Sequence, residues 1–198
     1  MNIENFTPFP VTISEIFRYQ KDLKFQYEPE AKEIFENFDL DCHEDQEVFK
    51  KYCWRITEEL GEALEAAYNR EKDHVLEEFI DAFNFTVELF LLIGWEPYKQ
   101  LEPQGVVALK DKSVHVGRTA ECMQEIVYDL TMCANLLKNR QWRQSQYLVD
   151  MHVFEKRMQT LWRTIFIAAG DLGLTEKDLY DLWTLKYQVN KFRIETKY

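Results

Sequence analysis

The stretch Phe49-Lys50-Lys51-Tyr52-Cys53-Trp54-Arg55-Ile56-Thr57-Glu58-Glu59-Leu60-Gly61-Glu62-Ala63-Leu64 decides the fold class. Phe49, Cys53, Ile56, Leu60, Ala63, Leu64 and Ala67 recur at the interval of one helical face, which predicts a helix over about 47–69. Outward from it the same periodicity continues. One helix is expected from Thr12 or Ser14, with Ser14 able to cap it, to about Tyr27, where Pro29 intervenes; a short one follows over 31–38. Beyond a break at 71–73, a helix over 74–93 is closed by Gly94 and Pro97, and three more are expected over 118–139, 146–169 and 175–196. The segment 100–116, with Pro103 and Gly105, reads as a long loop. With six glycines, five prolines and no sustained alternation of apolar and polar residues, hairpins and strands have little to form from, and the chain reads as all-α.

The 198 residues are 46% hydrophobic and 15% aromatic, enough for one sizeable core, so a single domain over 1–198 is expected, with a mobile segment around 98–117. A formal charge of −11 without a dense basic stretch opposes binding to bulk nucleic acid, since few counterions would be released. Cys42, Cys53, Cys122 and Cys133 lack the paired spacing of a zinc site. Cys122 and Cys133 lie on one expected helix, roughly 16 Å apart and too far for a disulfide, so a reducing cytoplasmic setting is expected. The start Met1-Asn2-Ile3-Glu4 has neither a basic nor an apolar leader region. The longest apolar run, 87–93, is interrupted by Glu88 and too short to span a bilayer. A soluble, unprocessed protein without a membrane partner is the expectation.

The chemistry lies in two acidic pairs: Glu59 with Glu62, and Glu78 with Asp81. Spacing of three places each pair on one helical face, so two adjacent helices can offer four carboxylates to one small volume. Phe79, Phe83, Val87 and Phe90 make one apolar face of the second acidic helix, while the face of Glu78 and Asp81 runs on into Phe85, Leu89 and Leu92, which aims the acids inward. Inward carboxylates need compensation, and a hard divalent cation such as Mg²⁺, keeping part of its water shell, supplies it. The plainer alternative is a solvated acidic face with Arg55 paired to Glu59 one turn on. Lys186, Asn190, Arg193 and Lys197 line one side of the last helix, where they can neutralise a polyphosphate or simply favour the helix C-terminus.

The arrangement Glu58-Glu59-x-x-Glu62 followed by Glu78-x-x-Asp81 resembles the signature of the all-α NTP pyrophosphohydrolase superfamily, which includes MazG-type enzymes and the dimeric dUTPases. The closing run Lys186-Tyr187-Gln188-Val189-Asn190-Lys191-Phe192-Arg193, with Lys197-Tyr198, is similar to the terminal pattern of the phage-type dimeric dUTPase branch. The resemblance covers about half the chain and implies a helical bundle with a four-helix metal-binding core and additional helices. It also implies Mg²⁺, as two or more ions that Mn²⁺ can replace, held by Glu59, Glu62, Glu78 and Asp81, with Glu58 as the base that orients and deprotonates water. Lys186, Asn190, Arg193 and Lys197 would bind phosphates, and Gln20 would read the base. A homodimer is implied as well.

The sequence departs from that branch where the uracil pocket is expected. Leu23-Lys24 stands where an Asn would follow Gln20, no Trp lies between Asn69 and His74, and Asn84 replaces a His. Asn84 offers a donor and an acceptor to a pyrimidine edge, so dUTP, dCTP, both, or a purine deoxynucleotide remain open. Trp54 can stack on a base or pack in the core. The expected activity is hydrolysis of a deoxynucleoside triphosphate to the monophosphate and pyrophosphate. The alternatives are a broad MazG-like hydrolase and a non-catalytic helical interaction protein.

Overall fold

A computed structural model describes residues 6–96, 116–138, 142 and 147–196, with side chains from 118 onward in the second of these segments. Among the described residues there are helices and no strands: α1 (Ile13–Tyr27), α2 (Ala31–Asn37), α3 (His43–Asn69), α4 (Lys72–Leu92), α5 (Val116–Leu136), α6 (Met151–Asp171) and α7 (Glu176–Thr196). The all-α bundle matches the sequence expectation. The expected loop over 100–116 and mobile segment over 98–117 lie outside the described residues, apart from the first residues of α5. No helix among the described residues is long and apolar enough to cross a membrane.

α4 is the central element. Val75, Phe79, Ile80, Ala82, Phe83, Val87, Leu89, Phe90 and Leu92 are buried around nearly its whole circumference, the pattern of a helix enclosed on all sides. It packs most extensively on α3, and α1 and α7 cover it elsewhere, while the α5–α6 pair leans on α3. Glu78, Asn84 and Glu88 are therefore drawn into the interior with the apolar residues beside them.

Several helix ends differ from the sequence reading for local reasons. Thr12, rather than Ser14, caps α1: its side chain accepts from the Glu15 amide and the Glu15 carboxylate accepts from the Thr12 amide at 2.9 Å, a reciprocal capping box. α3 begins at His43, because the acidic turn before 47 forms its first turn, where Glu44 and Asp45 suit the positive end of the helix dipole. The break between α3 and α4 shrinks to Arg70 and Glu71. Arg70 takes the left-handed conformation at φ 65°, and the amides of Arg70 and Glu71 bond to Ala67 and Ala66 oxygens at 3.1 and 2.9 Å, closing α3 in a Schellman turn. α6 starts at Met151 rather than near 146, capped by Asp150, which accepts from the Val153 amide at 3.1 Å.

Trp162 on α6 ties the layers together. Its ring lies 5.7 Å from Phe17 of α1, 5.3 Å from Phe90 and 6.3 Å from Phe83 of α4, and 5.0 Å from Phe166 of its own helix. These contacts fix α1 against α4, and one turn beyond Phe17 that same α1 carries Gln20.

Candidate active site

α3 and α4 bring three carboxylates to one point. Glu59, Glu78 and Asp81 each present an oxygen within 4.8 Å of the others. Burial, then the charges of Asp81, Glu78 and Glu62, push the Glu59 carboxyl up to about 7. Burial also raises Asp81, although Lys186 works against it. An all-oxygen donor set under mutual repulsion fits a hard cation of the Mg²⁺ type, and among the described residues a soft thiophilic metal has no sulfur ligand there.

Protein cations already offset part of that charge. Lys186 of α7, almost fully buried, lies 2.6 Å from Asp81 and 2.9 Å from Glu77. Burial disfavours the charged ammonium, but the two carboxylates outweigh it and raise the Lys186 pKa. Glu77 is likewise opposed by burial and ends below its ordinary value through the Lys186 bond and charge. His74 Nε2 sits 2.7 Å from Glu78, on the exposed side of the cluster.

Glu59, Asp81 and Lys186 form one wall of a cavity of about 270 Å³ that also reaches Asn190 and Arg193 of α7. Arg193 Nη1 donates to Asn190 Oδ1 at 3.3 Å, so the two present adjacent polar groups to the opening. At the inner end Gln20 and Lys24 of α1 face Asn84, Phe85 and Glu88 of α4. Gln20 Nε2 donates to Glu88 Oε1 at 2.9 Å, and Lys24 Nζ lies 3.2 Å from the other Glu88 oxygen and 2.9 Å from Glu28. Asn84 Nδ2 leans toward Asp81 at 3.4 Å, and its buried Oδ1 has no hydrogen-bond partner among the described residues. An orphaned buried acceptor carries a desolvation cost that a donor from a bound molecule would relieve.

Some of the sequence-derived residues stand elsewhere. Glu58 is exposed, accepts from the Trp54 indole at 2.8 Å, and lines a neighbouring groove with Tyr52 and Phe35. The cause is the helical step of about 100° per residue, which turns Glu58 away when Glu59 faces the cavity. Trp54 is 65% exposed, so it is not a core residue, and it flanks the groove rather than the cavity. Glu62 is exposed one turn beyond Glu59, near enough to act on it electrostatically but not within the trio. Lys197 lies outside the described residues. Arg55 does not pair with Glu59 as the solvated-face alternative requires: it lies 3.5 Å from Glu28 and over the Phe85 ring at 5.5 Å.

Sequence reasoning missed Lys24, Glu88 and Glu77. The interruption of the apolar run 87–93 by Glu88 was the available signal, since a lone charge on an enclosed helix demands a partner.

A family model, dUTPase_2, described as dUTPase, matches residues 12–198, which takes in every described helix and both walls of the cavity. No curated protein and no solved structure matches the chain. Since the family match runs through nearly the whole sequence, the chain belongs to this all-α dUTPase family and is a dUTPase-like nucleoside triphosphate pyrophosphohydrolase.

Proposed function

We propose that the protein hydrolyses a deoxynucleoside triphosphate, with deoxyuridine triphosphate as the first candidate and deoxycytidine triphosphate as the second, to the monophosphate and pyrophosphate in a Mg²⁺-dependent reaction. The observation that carries this reading is the convergence of Glu59, Glu78 and Asp81, only partly offset by Lys186 and His74, beside a cavity that Glu59, Asp81, Lys186, Asn190 and Arg193 line. In this reading the trio, with Glu62 reorienting from solvent, holds two or more Mg²⁺ ions, and Mn²⁺ can replace them. Bound Mg²⁺ supplies Lewis acidity along the phosphate chain and lowers the pKa of a water molecule. One water is consumed as the bond between the α- and β-phosphoryl groups is broken.

The side chains supply binding and a proton acceptor. Arg193 and Lys186 match phosphoryl oxygens in charge, and Asn190 offers its amide to a further oxygen. Glu58 is the proposed base, released from Trp54 and swung toward the cavity when nucleotide binds. The four free cysteines suit a reducing cytoplasmic setting, and the reading includes a homodimer.

The departures around the base favour a second reading, a broad MazG-like hydrolase, because Asn84 stands where the family branch has His. A panel of deoxyribonucleotides and ribonucleotides, assayed for pyrophosphate with Mg²⁺ or with EDTA, separates the two. The expected result is release from dUTP that EDTA abolishes; equal use of ribonucleotides selects the broad hydrolase, and no release from any nucleotide removes both. In the same assay Glu58→Gln is expected to lower kcat by about a hundredfold or more with little change in KM. An unchanged kcat moves the base role to another carboxylate.

The acidic trio also predicts how the metal-free protein responds to pH. The Glu59 carboxyl titrates near 7 in the fold against an ordinary value of 4.5, so between these values the folded state holds a proton that the unfolded chain releases. Stability present below the ordinary value is therefore lost as pH rises toward 7. His74, raised first by its bond to Glu71, loses stability in the same direction. In EDTA the Tm is expected to fall between about pH 5 and pH 7.5, and Glu59→Gln isolates the first contribution from that of His74. A Tm that is flat or rising over this window contradicts the electrostatic account.

A further inference from the structure

We propose that Glu88, held by Lys24, is a positioning residue that fixes which end of the Gln20 carboxamide faces the nucleotide, and so which base the cavity accepts. The inference rests on the nucleotide reading above and extends it to the choice of base.

A glutamine amide is nearly symmetric in shape, with an acceptor at one end and two donors at the other, so its orientation is decided by its partners. At Gln20 the decisive partner is Glu88, whose Oε1 takes the amide nitrogen at 2.9 Å. Burial pushes the Glu88 carboxyl above its ordinary value, and Lys24, 3.2 Å from the second oxygen, opposes that shift; Oε1 accepts the Gln20 nitrogen whether the second oxygen is bare or protonated. The Gln20 nitrogen is thus committed to Glu88, and its carbonyl oxygen becomes the end offered to the cavity. Gln20, Lys24 and Glu88 are 4%, 4% and 5% exposed, so water does not compete for these groups.

Stability alone does not account for the pair. Burying two opposite charges costs several kcal/mol per ion before their attraction is counted, and well-packed apolar residues of similar volume are often as stable or more so. What an apolar pair cannot do is give the neighbouring amide a direction. Asn84 shows the same bias more weakly: its nitrogen leans toward Asp81, and its buried carbonyl oxygen is left without a partner among the described residues. The inner end of the cavity is therefore offered the Gln20 carbonyl oxygen, which selects a base that brings an N–H group to it.

Uracil offers one ring N–H between two carbonyls, whereas cytosine offers an exocyclic amine beside an unprotonated ring nitrogen. A fixed carboxamide can pair with either only in registers offset along the base edge, and the walls formed by Leu23 and Phe85 cannot suit both equally. A site that hydrogen-bonds one base edge rejects the mismatched edge because buried groups are left unpaired.

The experiment measures kcat/KM for dUTP and dCTP in the wild type, in Glu88→Gln, and in the double variant Lys24→Met with Glu88→Leu, which keeps apolar packing and removes the clamp. Wild type is expected to prefer one pyrimidine. Both variants are expected to shrink the ratio of the two kcat/KM values by about tenfold or more, chiefly through KM, while still releasing pyrophosphate. A merely structural role lowers both substrates alike and leaves the ratio in place, which overturns the inference. Equal use of the two bases by wild type overturns it as well. Absence of hydrolysis by wild type on any nucleotide strikes instead at the nucleotide reading. If Glu88→Gln fails to fold, the ratio in the double variant decides.

Discussion

Glu59→Gln is expected to lower Mg²⁺-dependent pyrophosphate release by about a hundredfold or more while raising the Tm of the metal-free protein. The two changes share one cause. Among the described residues Glu59 faces Glu78 and Asp81 with no cation of its own, and burial together with those charges lifts its carboxyl to about 7. Near neutral pH the folded state must therefore either hold a proton there or bear the repulsion. The neutral amide of Gln removes that cost and, with it, the charge needed to retain a divalent ion. Asp81→Asn is expected to lose activity as fully without the thermal gain. Asp81 is one of two carboxylates around the nearly buried Lys186, and its removal leaves that ammonium to Glu77 alone. Thermal melts in EDTA and in Mg²⁺, run beside the pyrophosphate assay, check both variants. Retained activity in Glu59→Gln removes the metal role of the trio, and a lowered Tm in EDTA removes the repulsion argument.

The legible part of this site was the part encoded within single helices. Spacing of three within Glu59 to Glu62 and Glu78 to Asp81 fixes which faces carry acid, and the apolar residues continuing the α4 face fix its direction. Spacing could not say that α3 is rotated so that Glu59 meets α4 while Glu62 stays in solvent and Glu58 turns to Trp54. That rotation depends on which of the two neighbouring stripes on α3 packs most deeply, a property of the pair of helices. The contact between Gln20 and Glu88 spans 68 residues. It was unreadable for a different reason: Lys24 on an amphipathic helix looks like a surface lysine until α4 is laid across it. Helix ends were legible only in part, since Ser14 competed with Thr12 as the cap of α1 and periodicity alone started α6 near 146 instead of at Met151. Thr12-x-x-Glu15 and the Asp150 cap were both present to be read, and the α3–α4 turn was the exception, since Arg70 takes a conformation that sequence normally reserves for glycine.

Trp162→Ala is expected to cost about 3–5 kcal/mol of stability, the upper range for truncating one core side chain. The ring is 1% exposed and meets aromatic side chains from α1, α4 and α6, so truncation opens a cavity that three helices would have to close together. Trp162→Phe separates packing from polarity. The indole nitrogen is buried with no hydrogen-bond partner among the described residues, so exchanging it for a phenyl ring removes an unsatisfied donor as well as volume. Its cost should accordingly be less than half that of the alanine variant in urea unfolding. The consequence for the site runs through Phe17. With its aromatic anchor gone, α1 is free to shift against α4, and the Gln20–Glu88 bond is the first polar contact to feel the movement. Folded Trp162→Phe should therefore keep the wild-type preference between pyrimidines, and Trp162→Ala, assayed at a temperature where it remains folded, should blur it. Equal stability losses for the two variants contradict the packing argument, and a preserved base preference in Trp162→Ala shows that α1 is held against α4 by contacts other than this ring.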